Sequence, residues 1–136
     1  AAPAEAPVNH GALEDSVLPE VAAGRMDLVE DGWELGRGLT LLGCPGHTPG
    51  HMCLQADHGP RGAVFSGDAI HSPVQLAHPD WSSAFCTDPD QARTSRRVLL
   101  ESIAETGRIL LPAHFPDPGW CRIERVDGAY RPVPAD

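Results

Sequence analysis

Apolar and polar positions along the chain fall into two regimes. From residue 25 to residue 67, short apolar runs are cut by glycine, as in "RMDLVE", "WELG", "GLTLLGC", "HMCLQA" and "GAVFSG". These lengths and breaks predict a meander of five short strands. Before it, "LEDSVLPEVAAGR" carries Leu13, Val17, Leu18 and Val21 at helical spacing and stops at Gly24, which predicts a short helix. After it, "DPDQARTSRRVLLESIAETG" is the best-marked element. Asp88 suits an N-cap, Pro89 the first helical position and Gln91 a capping box; Ala92, Leu99, Leu100 and Ile103 mark one face, and Gly107 ends the helix. A strand, "RILLPAH", follows it, then the loop "FPDPG" and a hairpin of "WCRIERV" and "AYRPV" turned at Asp127-Gly128.

The picture is one α/β or α+β domain with a loose Ala/Pro-rich segment at residues 1–10. The 136 residues carry 10 Lys+Arg against 19 Asp+Glu, a net charge of −9. That balance excludes binding to nucleic acid through phosphate neutralisation, so an exposed helix face is the plain reading of Arg93, Arg96 and Arg97. No apolar run approaches the ~20 residues that span a bilayer. Cys44, Cys53, Cys86 and Cys121 form no C-x-x-C pair; buried free thiols, and with them a reducing, cytoplasmic setting, are the expectation.

Three polar residues follow apolar runs. His47 and His51 flank a Thr-Pro-Gly turn in "CPGHTPGH"; Pro49 and Gly50 exclude the helical H-x-x-x-H arrangement of zinc proteases, and a polar loop pair is an equal reading. Asp68 ends "AVFSGD" and His114 ends "RILLPAH", where singly a turn carboxylate and a structural histidine would be expected. Taken together, a sheet would bring His47, Asp68 and His114 to one edge, and imidazole and carboxylate are donors that zinc, iron(II) or manganese accept.

"PGHTPGH", "FSGDAIH" and a histidine after a late strand resemble the C-terminal half of the metallo-β-lactamase superfamily; "GDAIHSPVQ" and "PAHFP" are most similar to its lactonase and organophosphate-hydrolase-like branch. The likeness runs over residues 11–126 and implies the second half of an αββα sandwich: one mostly antiparallel sheet with a long helix and a second short one. It makes residues 11–136 that half-domain. It implies His47 completing one metal's ligand set, Asp68 bridging two metals as the catalytic carboxylate, and His114 on the second metal. His51 would buttress the turn. His71 would line the pocket or orient a ligand, against the plainer reading of an exposed loop histidine. Trp81 and Phe85 would form an apolar pocket wall, with core packing the alternative; His58 and His78 read as surface residues, and a thiolate ligand from Cys44 or Cys53 is the less favoured reading.

The superfamily's H-x-H-x-D-H signature is absent: only 46 residues precede His47, their one histidine is His10, and no H-x-H pair occurs. The resemblance therefore implies part of a metal-dependent hydrolase of an ester-like bond (lactone, ester or phosphotriester) acting through a metal-bound hydroxide. One zinc at most is expected here, and no turnover by this part alone. A second copy or the complementing N-terminal half would be its partner. The alternative is a self-associating module with a residual metal site, while the acidic charge speaks against the superfamily's nuclease branch.

Overall fold

The computed structural model describes residues 11–58 and 62–134; the expectation for residues 1–10 lies outside them. A π-helical turn (Leu13–Val17) leads into α1 (Leu18–Ala22), and none of these residues is buried. Five strands then form one sheet in the order β1 (Glu34–Gly36), β2 (Leu39–Gly43), β3 (Met52–Ala56), β4 (Ala63–Gly67), β5 (Ile109–Pro112). Neighbours are antiparallel except β4 and β5, which are parallel. A parallel pair needs a long crossover, and residues 68–108 supply it with the one-turn helix α2 (Val74–Ala77) and the long helix α3 (Pro89–Thr106). The closing hairpin, β6 (Arg122–Val126) with β7 (Ala129–Val133), touches β5 through a bridge at Leu110 and Cys121.

Side chains alternate across a strand, so the register sorts the sheet into two faces. Leu42, Cys53, Val64 and Leu110 belong to the core formed with Leu99, Leu100 and Ile103 of α3. On the opposite face the pairings line up two rows, Leu39–Ala56–Ala63–Ile109 and Leu41–Leu54–Phe65–Leu111. All eight residues are apolar and none is buried.

Helix α3 starts as its sequence predicts: Asp88 Oδ1 accepts the Gln91 N–H at 2.9 Å, and Gly107 ends it at φ 67°. The capping box is half-made, because the Gln91 amide donates to Ser95 Oγ instead. Residues 25–30 form no strand, contrary to the sequence pattern. Among the described residues no strand pairs with them, Met26 and Leu28 are exposed, and an unpaired strand has nothing to satisfy its backbone. Arg96 corrects a second expectation. It is 0 % exposed, since it falls four residues after Ala92 and three before Leu99 on the inward stripe of α3.

Candidate metal centre

The turn between β2 and β3 is built around Gly46. Its φ is +128°, and a Cβ there would lie 2.2 Å from the Ala92 nitrogen, so only glycine lets this turn pack on the start of α3. Backbone bonds from Asp88 to the Gly46 carbonyl (2.9 Å) and from Thr87 to the His47 carbonyl (3.0 Å) tie the two segments together, and Ser95 Oγ donates to the Pro45 carbonyl at 2.7 Å. His47 is thus held from both sides. His51 closes the turn: its carbonyl accepts the Cys44 N–H at 2.8 Å.

Asp68 leaves the end of β4 directly after Gly67, where a Cβ would come 2.9 Å from His51 Nε2. That close approach lets the Asp68 backbone N–H donate to His51 Nε2 at 3.0 Å. The Asp68 carboxylate is shared. Oδ2 lies 3.2 Å from His47 Nε2, and Oδ1 lies 2.8 Å from His114 Nε2. The structure therefore brings His47, Asp68 and His114 together, with His51 beneath them supporting the Asp68 backbone. His71 joins the cluster: its ring stacks on His114 with centroids 5.6 Å apart and lies 5.0 Å from that of His47. It is half-buried rather than an exposed loop residue. Burial lowers its pKa from 6.5, with the Asp68 charge opposing.

A cavity of about 790 Å³ opens over these groups, lined by His47, Thr48, Asp68, His71, Ala84, Phe85, Thr87 and His114. Phe85 is a wall of it, 76 % exposed, so the core alternative does not hold. Trp81 is not a wall. It stacks on exposed His78 (centroids 4.5 Å) and lines a different cavity with residues of α3 and the closing hairpin. The loop that carries it is pulled the other way by Gln75 and by the inward-pointing Arg96. Gln75 Oε1 accepts the N–H groups of His71 (2.7 Å) and Ser72 (3.3 Å), while its amide donates to the Trp81 carbonyl at 2.7 Å. Arg96 donates to the carbonyls of Ala69 (2.9 Å), Pro79 (2.6 Å) and Trp81 (3.1 Å). Ser72-Pro73-Val74-Gln75 has the spacing of a capping box, and that was the available signal for Gln75.

Behind His51 lie Cys44 and Cys53, both free and buried. Hydrogen bonding from Cys53 pulls the Cys44 thiol down to about 6, with His51 adding to the effect. Cys53 shifts upward, keeping its proton, because a thiolate beside it and burial both oppose a second charge. The Cys44 sulfur in turn raises His51 above 6.5.

The residues fit a divalent ion. One donor atom each from His47, Asp68 and His71 lies within 4.8 Å of the others. Donors sharing an ion at bond lengths of ~2.0–2.2 Å stand about 3 Å apart, which is the spacing of Asp68 from His47 and His114. Nδ1 of His47 and Nδ1 of His71 are buried without a hydrogen-bond partner. Among the described residues no helix is long and apolar enough to cross a membrane.

A mixed sheet packed on one crossover helix thus carries a His/Asp cluster at its strand ends. The sequence model of the metallo-β-lactamase superfamily matches residues 11–114, and the chain belongs to that superfamily. Among solved structures, AidC, a dizinc quorum-quenching lactonase in complex with the product N-hexanoyl-L-homoserine, is similar at 23 % identity and TM-score 0.75 over 92 % of this chain and 47 % of its own. The hydrolase AbOPH of the β-lactamase superfamily is similar at 27 % identity and TM-score 0.76, over 91 % of this chain and 43 % of its own. A probable metal-dependent hydrolase from Staphylococcus aureus shares the fold at 19 % identity and TM-score 0.69, over 84 % and 42 %. The chain thus spans less than half the length of each. No curated protein matches it.

Proposed function

We propose that this chain is the Asp68-bearing half of a zinc-dependent hydrolase of lactones or related esters and phosphotriesters. The observation that carries the reading is Asp68 itself, with one carboxylate oxygen on His47 and the other on His114. His47, Asp68 and His114 would hold metal, and half-buried His71 is a fourth donor beside them. A divalent ion held there lowers the pKa of water and polarises a carbonyl or phosphoryl oxygen. Phe85 and Ala84 give the cavity an apolar wall that keeps water from a bound acyl or alkyl chain. The small-molecule product bound by the lactonase neighbour, and its two zinc ions, support that substrate class and that metal.

The bare rows of the sheet carry the rest of the reading. In this proposal the complementing N-terminal half of such a domain covers Leu41, Leu54, Phe65 and Leu111 and adds the ligands for a second metal, so turnover requires it. Four free buried thiols fit a reducing cytoplasm. The same bare rows favour a second reading, a self-associating module in which two copies cover each other.

The test is metal analysis of the purified chain beside His47→Ala and Asp68→Ala, with oligomeric mass recorded and lactone hydrolysis assayed. We expect His47→Ala and Asp68→Ala each to hold about one zinc per chain fewer than the wild type, as three protein donors with an open position allow. A metal-free wild type, or unchanged zinc in both variants, sinks the metal reading. A stable monomer sinks the self-associating one.

A further inference from the structure

One set of donors stands outside the His47–Asp68 cluster. A ring nitrogen of His51 and the sulfurs of Cys44 and Cys53 lie within 4.8 Å of one another. Cys53 is 0 % and Cys44 4 % exposed. Since His51 Nε2 is occupied by the Asp68 N–H, its available nitrogen is Nδ1, which is buried and has no hydrogen-bond partner. Both sulfurs also line a cavity of about 400 Å³ between the sheet and α3, with Leu42, Val64, Leu99 and Ile103. The cavity gives a small ion a way to the sulfurs without unfolding the sheet.

We propose that Cys44, Cys53 and His51 form a binding site for a thiophilic metal ion of the zinc(II), cadmium(II) or copper(I) class, and that filling it withdraws His51 from Asp68.

The donor set selects the ion: two sulfurs and one imidazole suit soft and borderline ions and repel magnesium or calcium, which want oxygen. At metal–sulfur distances of ~2.3 Å and metal–nitrogen distances of ~2.0–2.1 Å, donors around one ion stand roughly 3.5–4 Å apart. The existing donors, within 4.8 Å of one another, stand close to that spacing. Low pKa at Cys44 prepares one thiolate, and Cys53 gives up its proton on binding.

The consequence follows from counting protons on one imidazole. While Nε2 accepts the Asp68 N–H, a neutral His51 must carry its hydrogen on Nδ1. An ion bound at Nδ1 takes that place, the hydrogen moves to Nε2, and Nε2–H then faces Asp68 N–H donor to donor. The contact at 3.0 Å cannot persist, so the Asp68 turn loses its support. The soft-ion site and a well-held Asp68 are therefore antagonists. The site itself does not depend on the hydrolase reading; only the effect on zinc held by Asp68 does.

The experiment is a cadmium(II) titration of the metal-free 136-residue chain under reducing conditions, read by thiolate-to-cadmium ultraviolet absorption and by the Asp68 amide resonance. We expect one absorbing cadmium per chain, and an Asp68 amide that moves with the same midpoint. Cys44→Ser and Cys53→Ser, checked for folding by circular dichroism, should each weaken binding by more than the ~10–100-fold that loss of an outer-shell partner costs. His47→Ala and Cys86→Ser should leave the band intact. A wild type with no thiolate band overturns the proposal whether or not the variants fold, and so does a band that survives both cysteine changes. Loss of the band in His47→Ala would assign the sulfur to the other centre and overturn it too. An unmoved Asp68 amide overturns the antagonism, whereas zinc analysis at His47 and Asp68 judges the hydrolase reading separately.

Discussion

Val64 and Phe65 are neighbours on β4, yet one is 2 % exposed and the other 44 %. The first lies on the face that packs against α3 and the second on the opposite face. The whole sheet divides the same way: one face is sealed by a helix of matching apolar stripe, and the other presents two cross-strand rows of apolar residues, none of them buried. Composition alone would treat the two faces as equivalent. The difference teaches that hydrophobic pattern states what a strand is made to touch, whereas burial states what is present to touch it. It also separates two kinds of stability. The α3 face holds this chain together, and in the proposed function the opposite face is the one a complementing half covers.

That contrast is open to direct attack. The largest expected effect is on the sealed face: Leu100, 0 % exposed, truncated to alanine should cost about 2–5 kcal/mol in denaturant unfolding. Phe65→Ala in the same assay should cost clearly less than Leu100→Ala, because Phe65 keeps 44 % of its surface in water. Equal losses would mean the bare face is covered in solution. Next comes Arg96→Met, which keeps most of the packing but strands the carbonyls of Ala69, Pro79 and Trp81. We expect about 3 kcal/mol, with metal affinity falling as well, since Ala69 adjoins Asp68. Asp88→Ala should cost about 1 kcal/mol through loss of the α3 cap. The smallest effect is in acid. Burial holds His71 below its ordinary 6.5, so the unfolded chain binds a proton there more readily than the folded one. Its contribution is present above pH 6.5 and lost as pH falls through the folded value. Thermal melts at stepped pH should show that loss, and His71→Asn should flatten it.

Much of this was legible in the residues. Four of the five meander strands, α3 with its cap and stop, and the closing hairpin follow from apolar spacing and turn chemistry. The placing of His47, Asp68 and His114 at strand ends was legible because each follows an apolar run. What escaped was set by tertiary partners. "RMDLVE" has strand composition, but a strand needs a neighbour and none comes. Arg96 sits among Arg93 and Arg97 in a stretch that reads as a solvated face, and only its place on the Ala92–Leu99 stripe reveals that it points inward. Trp81 and Phe85 stand in the same loop with the same apparent purpose, and the pull of Gln75 and Arg96 on the Trp81 carbonyl decides which of them reaches the cavity.

The parallel pairing of β4 with β5 sets an order of events in time. Asp68 and His114 are 46 residues apart along the chain, with α3 between them. Closing such a loop costs about 3 kcal/mol of chain entropy before any contact repays it. We expect the cluster to assemble late, on the native side of the folding barrier. An ion held by His47, Asp68 and His114 acts as a clasp fastened after the garment is on: it should leave the folding rate almost unchanged and slow unfolding. For this chain, metal loading is a lever on lifetime.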